Sequence, residues 1–240
     1  MEAYAEDLAY IHDVGFGGFA KSSAPGLLEI LRKKGVTRGL VVDLGCGSGL
    51  WARALCDAGY AVLGIDISKA MVKLAKQRVP EGTFQAGSFL KAKLPPCDAV
   101  TALGECLNYL FDRRSSLAEL GRLFRRAYAA LRSGGVFIFD IAEPGRGAGP
   151  RQRFREGPDW AVLVEIDEDP KARRLTRRIT VFRKIGEVCR RSQEVHELRL
   201  YQRSDILKAL RRVGFQVRTL RGYGQQRFPE AYVGFLARKP

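Results

Sequence analysis

The sequence predicts a doubly wound α/β fold on a seven-stranded, mostly parallel sheet, and three of its features carry that prediction. From residue 39, short runs rich in β-branched residues alternate with longer amphipathic stretches, the rhythm of consecutive βα units. The first run ends in an acid and a turn with three alternating glycines, Asp43-Leu44-Gly45-Cys46-Gly47-Ser48-Gly49. After an interval of period-two alternation, the chain returns at residue 203 to a helix followed by two strands.

The elements follow in four segments. In residues 1–38, Tyr4, Leu8, Ile11 and His12 share a helical face, Gly15-Phe16-Gly17-Gly18-Phe19 breaks the helix, and a second helix runs from Pro25 to Lys34. This N-terminal helical segment is either a cover on the sheet edge or a lid over the carboxyl ends of the strands, where ligands of such sheets bind. Residues 39–143 form the α/β core, with strands at 40–44, 61–65, 83–86, 98–103 and 136–140 and helices at 48–57, 68–78 and 115–131. Ser68 is placed to cap the second of these helices, whose Met71, Leu74 and Ala75 share one face. Residues 144–202 form an antiparallel β insertion. Residues 144–158 are rich in turn formers, after which Trp160, Val162, Val164 and Ile166, then 175–182 and 188–200, alternate at period two with their charged side to water. Residues 203–240 complete the core with a helix to Val213, a stop at Gly214, and strands at 215–220 and 232–238.

Composition narrows the function classes. With 240 residues and 46% hydrophobic content, the chain can fill a substantial core. No run approaches the roughly 20 apolar residues of a membrane helix, and the first ten residues lack a signal-peptide pattern, so a cytoplasmic location without a membrane partner is expected. The cysteines Cys46, Cys56, Cys97, Cys106 and Cys189 form no CxxC pair and only His12 and His196 accompany them, so free thiols and no metal site are expected. The formal charge of +15 favours polyanions without identifying one. Arg151, Arg153, Arg155, Arg173, Arg174, Arg177 and Arg178, interrupted by Asp167, Glu168 and Asp169, read as a solvated surface or as a nucleic-acid face.

The glycine turn is the strongest signal. Its glycines let backbone approach a ligand at a helix start, where N–H groups face the same space. A dinucleotide fingerprint places its final glycine one residue later and has no Asp before its first glycine, which argues against a nicotinamide enzyme. In Gly64-Ile65-Asp66-Ile67-Ser68, Asp66 ends the second strand 23 residues after Asp43. There it can accept both hydroxyls of a ribose, or simply cap the next helix.

These two motifs, with Gly87-Ser88-Phe89, the run Asp98 to Leu110 and the run Leu131 to Asp140, together resemble a class I S-adenosylmethionine-dependent methyltransferase. The likeness is close over residues 39–143 and looser over 203–240. It is closest to small-molecule and uncharacterised bacterial enzymes that carry an antiparallel insertion after the fifth strand. The resemblance implies a Rossmann-like fold and S-adenosylmethionine as cofactor, with S-adenosylhomocysteine as product. It also implies that Gly45, Cys46, Gly47 and Gly49 line the methionine end, that Asp43 orients its amino group and that Asp66, beside Ile67 and Met71, holds the ribose. Phe89 would lie against the adenine, with Leu103 and Gly104 bordering the sulfonium. Many relatives carry Asp where this chain has Ser88, so the adenine contact there is weaker.

Methyl transfer from a sulfonium needs alignment and exclusion of water, and a base only when the acceptor arrives protonated. Glu105 follows the fourth strand as a candidate base, while Asn108 and Tyr109 either orient an acceptor or, for Tyr109, fill core. The strand 191–201 offers a further reading. Glu194, His196 and Leu198 share one face, with Val195, Glu197 and Arg199 on the other. Either Glu194 and His196 form a surface network, or the insertion presents His196, with Glu105 and Tyr10 or His12, to the acceptor as a proton acceptor. Arg199 and Tyr201 join Tyr10, His12 and Asn108 as acceptor-binding candidates. A small polar metabolite methylated on nitrogen or oxygen is the leading expectation, with RNA or protein as alternative acceptors and a cofactor-binding interaction protein as the non-enzymatic alternative. The stretch after the fourth strand lacks the N/D-P-P-aromatic motif of base methylation. Pro96-Cys97 precedes that strand and Cys106 lacks a proline, which argues against cytosine C5 chemistry. Monomer and homodimer both remain open.

Overall fold

The computed structural model describes residues 3–240; Met1 and Glu2 of the N-terminal segment lie outside the described residues. Two helices lead the chain, α1 (Glu6–Phe16) and α2 (Gly18–Lys33). The core then alternates β1 (Gly39–Leu44), α3 (Leu50–Asp57), β2 (Tyr60–Asp66), α4 (Lys69–Arg78), β3 (Thr83–Ala86), β4 (Cys97–Ala102), α5 (Leu117–Ala130) and β5 (Leu131–Ala142). Four strands follow, β6 (Gln152–Gly157), β7 (Trp160–Asp169), β8 (Arg174–Ile185) and β9 (Val188–Arg199). The chain closes with α6 (Arg203–Val213), β10 (Gln216–Leu220), a hairpin of β11 (Gly222–Tyr223) and β12 (Gln226–Arg227), and β13 (Tyr232–Arg238).

The main sheet has seven strands in the order β10-β13-β5-β4-β1-β2-β3. Strands β1 to β5 pair in parallel, and β13 runs antiparallel between β5 and β10. Because both faces are covered, the strands read as nearly continuous apolar runs whose alternate residues feed two cores. On β5, Phe137 and Phe139 pack with α5 and α6 through Leu123, Phe124, Ile206 and Leu210. Val136 and Ile138 point the other way, to Leu27 and Leu31 of α2, Trp51 and Leu55 of α3, and Val72 and Ala75 of α4. This is the doubly wound, Rossmann-like arrangement. Each such side chain contributes roughly 1.5–3 kcal/mol by burial.

Helix ends follow the local chemistry. Ser68 Oγ accepts the Met71 N–H at 3.1 Å and caps α4, and Ser116 does the same for Glu119 at the start of α5. Gly214 closes α6 at φ 108°.

The insertion forms a separate antiparallel sheet, β6-β7-β8-β9. One face is buried: Trp160, Val162, Ile179 and Val181 pack on Leu8 and Ile11 of α1, while Ile166, Leu175 and Leu198 pack on Ala142 and Leu200. Helix α1 is thereby sandwiched between the insertion and the carboxyl ends of the parallel strands, while α2 packs on the main sheet beside α3 and α4.

Three local expectations are corrected. Pro25 does not start a helix but lies inside α2, so α2 begins seven residues earlier, at Gly18. The stretch expected to be irregular before Trp160 contains β6, whose residues are too exposed to show period-two burial. The β11–β12 hairpin also escaped the pattern, being two residues a side. Among the described residues no helix is long and apolar enough to cross a membrane.

Candidate functional site

At the carboxyl ends of β1, β2, β4 and β5 the chain encloses a cavity of about 410 Å³. The glycine turn forms its floor. Gly45 has φ 71° and a Cβ there would come within 2.8 Å of Cys106 Cβ, so only glycine lets the turn pass the loop after β4. Gly47, at φ 52°, has open space where a Cβ would point and lines the cavity with Asp43, Cys46 and Asp66. Ile67, Met71, Phe89, Leu103 and Gly104 continue the wall. Gly49 sits outside this lining, where it packs against Ala75.

Three buried carboxylates lie at or near the carboxyl ends of three strands. Asp66 accepts the Gly47 N–H and the Ser68 N–H, both at 2.8 Å, and burial raises its pKa despite those donors. Asp43 accepts the Thr101 hydroxyl at 2.7 Å, and Thr101 in turn accepts the Trp51 indole N–H at 3.2 Å. Burial, with the nearby Asp66 charge, pushes Asp43 up to about 7 against the Thr101 hydrogen bond. Asp140, to which the sequence reading assigned no site role, accepts from the Gly104 and Glu105 amides at 3.1 and 2.7 Å and from the hydroxyls of Tyr223 and Tyr232. Its signal was available: an acid at the end of a core strand, as at Asp43 and Asp66.

Glu105 does line the cavity, in the left-handed region at φ 61°, yet its oxygens are taken by Arg146 Nε at 2.6 Å and Arg177 Nη2 at 2.7 Å. Burial would raise its pKa, but the Arg177 and Arg146 charges overcome that and hold it below the ordinary value. A carboxylate so paired is a poor proton acceptor, which corrects the expectation of a general base. Arg177, read as part of a solvated basic run, instead turns inward and also donates to the Tyr109 hydroxyl at 2.9 Å.

The remaining roof comes from the N-terminal segment through Tyr4, His12, Phe16 and Phe19. His12 lines the cavity, and burial lowers its pKa to about 4, so it is a neutral imidazole near neutral pH. Asp13 locks α1 to the glycine turn, accepting from Ser48 Oγ at 2.6 Å and Arg78 Nη2 at 2.9 Å.

Several expected site residues lie elsewhere. His196 is 1% exposed, hydrogen-bonded through Nε2 to Glu194 at 2.8 Å and covered by the rings of Tyr4, Tyr109 and Phe111. It therefore stands behind the cavity wall, and neither the catalytic nor the surface-network reading describes it. Tyr10 faces the insertion, its hydroxyl on Asp159 and its ring 3.3 Å from the Arg183 guanidinium carbon. Asn108 is buried and ties Ala142 to Arg199 through its carboxamide, a structural clamp rather than an acceptor contact. Arg199 contributes its carbonyl to that clamp and Tyr201 is 4% exposed in the main core, so neither reaches the cavity. Ser88 donates to Asp112 at 2.6 Å and lies outside the lining, so the adenine contact expected of it is withdrawn, while Phe89 lines the cavity. Tyr4, Arg146, Arg177 and Tyr232 line the cavity without having been singled out for it.

Residues 41–135 match the methyltransferase domain family. A Geobacillus sp. (strain WCH70) protein bearing the methyltransferase name without a stated substrate is 31% identical over 106 residues, 42% of this chain and 41% of that one. The matched part thus spans about two fifths of that relative. A sugar amine enzyme of Streptomyces fradiae, dTDP-3-amino-3,6-dideoxy-alpha-D-glucopyranose N,N-dimethyltransferase, is 25% identical over 57% of this chain and 54% of that one. An S-adenosylmethionine-dependent methyltransferase of Clostridium acetobutylicum superposes with a TM-score of 0.81 at 21% identity, covering 96% of each chain. The fold is therefore that of class I S-adenosylmethionine-dependent methyltransferases, with similarity to bacterial enzymes of small molecules.

Proposed function

We propose that this chain transfers a methyl group from S-adenosylmethionine to a nitrogen or oxygen nucleophile of a small polar metabolite. The observation that carries the reading is the cradle at the strand ends. Gly47 and Gly104 both line the cavity with open space where a side chain would stand, and between them lie Asp43 and Asp66. Each Asp66 oxygen accepts one amide, and a carboxylate offers about four lone-pair sites, so acceptor capacity remains for two hydroxyls. The residues present therefore fit the cofactor.

When bound, the cofactor supplies a methyl carbon already activated by a sulfonium. The protein's part is then positional. Asp66 holds the ribose, Asp43 the amino end, and Met71 and Phe89 enclose the base. Tyr4, His12 and Phe16 of the N-terminal segment close the space above and exclude water. The acceptor enters beside Gly104, between Tyr109, Arg146, Arg177 and Tyr232. The sugar amine enzyme among the relatives supports a small polar acceptor.

Incubation of the purified chain with methyl-labelled cofactor and separate metabolite, RNA and protein pools tests the reading. Label in the small-molecule pool is expected. Label confined to RNA or protein would replace the acceptor class, and absence of cofactor binding by calorimetry would remove the methyltransferase reading altogether.

A further inference from the structure

We infer that the acceptor carries a carboxylate, received by the terminal nitrogens of Arg146; this deepens the methyltransferase reading and rests on it. Charge is the first observation. Arg146 and Arg177 share a single carboxylate, Glu105, whose side chain is 6% exposed. The trio therefore leaves one positive charge, and it lies in the cavity wall beside Gly104. The charge is partly withdrawn from water, the Arg146 side chain being 19% exposed, and it is free to take a partner. A carboxylate at −1 neutralises it, whereas a phosphomonoester at about −1.5 to −2 overshoots.

Geometry is the second. Arg177 spends Nη1 on Tyr109 and Nη2 on Glu105. Arg146 reaches Glu105 through Nε alone, so among the described residues its Nη1 and Nη2 make no hydrogen bond. Two parallel N–H donors on a planar fork match the two oxygens of a carboxylate.

The fork is also held in place. Its guanidinium carbon lies 5.4 Å from the centre of the Tyr232 ring. The loop that carries it is pinned from the insertion: Glu168 accepts the Gly145 N–H at 2.7 Å and the Gly147 N–H at 2.6 Å, gripping the chain on either side of Arg146. A side chain at Gly147 would strike Glu168 Cβ at 2.7 Å. Fixing a donor before its ligand arrives reduces the ordering cost of binding. The cavity is at the small end of the range of roughly 300–1,000 Å³ for ligand pockets and must take the cofactor as well, so the acceptor is small.

The test titrates benzoate, benzyl alcohol and phenyl phosphate, followed by nuclear magnetic resonance, into the whole chain loaded with S-adenosylhomocysteine. Benzoate is expected to bind at least about tenfold more tightly than benzyl alcohol or phenyl phosphate, and Arg146→Gln to erase that preference while the variant still binds S-adenosylhomocysteine. Equal binding of the acid and the alcohol, preference for the phosphate, binding of none of the three, or an unchanged preference in Arg146→Gln would overturn the inference. So would a loss in Arg146→Gln of affinity for S-adenosylhomocysteine alone, because the arginine would then serve the cofactor's own carboxylate. Failure of the wild type to bind S-adenosylhomocysteine is a separate result and counts against the methyltransferase reading itself. Calorimetry on the unloaded chain distinguishes the two.

Discussion

Glu194 holds Tyr4: one carboxylate oxygen on β9 accepts the Tyr4 N–H at 2.9 Å, and the other accepts the neighbouring Ala5 N–H at 2.8 Å. The insertion thereby supplies the cap that Ala5 cannot give α1 from its own side chain. The same segment is fastened from the core, where Ser68 Oγ donates to the Tyr4 carbonyl at 2.8 Å. Tyr4 itself sits at φ 49° with its hydroxyl 3.3 Å from that of Tyr109. The cavity roof is therefore held between the insertion and the helix that follows Asp66.

Glu194→Ala should loosen this roof. Two amides lose a charged acceptor, each such bond typically contributing about 1.5–3 kcal/mol. A net loss of about 3 kcal/mol would lower Tm by roughly 6–12 °C in a chain of this size. Hydrogen exchange should accelerate over residues 4–16 more than in β1 or β5, and affinity for S-adenosylhomocysteine should fall. Unchanged exchange in α1 would show that Asp13 and Ser68 hold the roof without Glu194.

His196 supports Glu194 instead of serving the acceptor. Nε2 meets Glu194 Oε2 at 2.8 Å, while Nδ1 is buried with no hydrogen-bond partner among the described residues. His196→Ala should cost about 1–3 kcal/mol of stability through the lost bond and the vacated space among Tyr4, Tyr109 and Phe111. Its kcat should stay within about tenfold of wild type, with an unchanged pH profile. A loss of about a hundredfold or more at every pH, with Tm preserved, would restore a chemical role.

Gly47→Val separates folding from binding. A Cβ at Gly47 meets nothing within 4 Å, so the fold bears only the left-handed backbone, a cost of roughly 1–2 kcal/mol. The branched side chain instead occupies the cavity, and cofactor binding should become undetectable in a folded protein. Asp66→Ala should weaken it by at least about tenfold, through the loss of hydroxyl acceptors and the freeing of the Gly47 amide. Normal calorimetric titrations of these two variants would move the cofactor away from the strand ends.

The core was legible because its central strands are buried on both faces and its helices carry apolar stripes, so β1, β2, β4, β5 and β13 announce themselves as nearly continuous apolar runs. Asp43 and Asp66 were legible because a strand end fixes where a side chain can go. The inner face of β9 was misjudged because alternation reveals which residues share a face, not what that face meets: Glu194, His196 and Leu198 all turn inward, two of them polar. Arg146 and Arg177 gave no signal at all. Thirty-one residues apart in an arginine-rich stretch, they converge on Glu105 only through the folding of the insertion.

If Asp43 receives the cofactor's amino end as proposed, binding is a proton-linked event. Burial, with the Asp66 charge, raises its pKa to about 7, while the unfolded chain titrates it at the ordinary carboxylate value. The folded protein thus binds more protons than the unfolded chain between about pH 4 and pH 7. This group's contribution to stability is full below the unfolded pKa and is lost as pH rises through the folded one. Binding has the opposite slope. A cationic ligand beside Asp43 favours the ionised carboxylate, so complex formation near neutral pH should expel up to one proton. If the bound-state pKa returned to about 4, affinity would rise by up to about a hundredfold between about pH 5 and pH 8. Calorimetry in buffers of different ionisation enthalpy should show the released proton directly, and Asp43→Asn should abolish both the release and most of the slope. Asp66 is also raised by burial, so Asp66→Asn is the control: a slope that vanishes there and persists in Asp43→Asn would assign the linked proton to Asp66 instead.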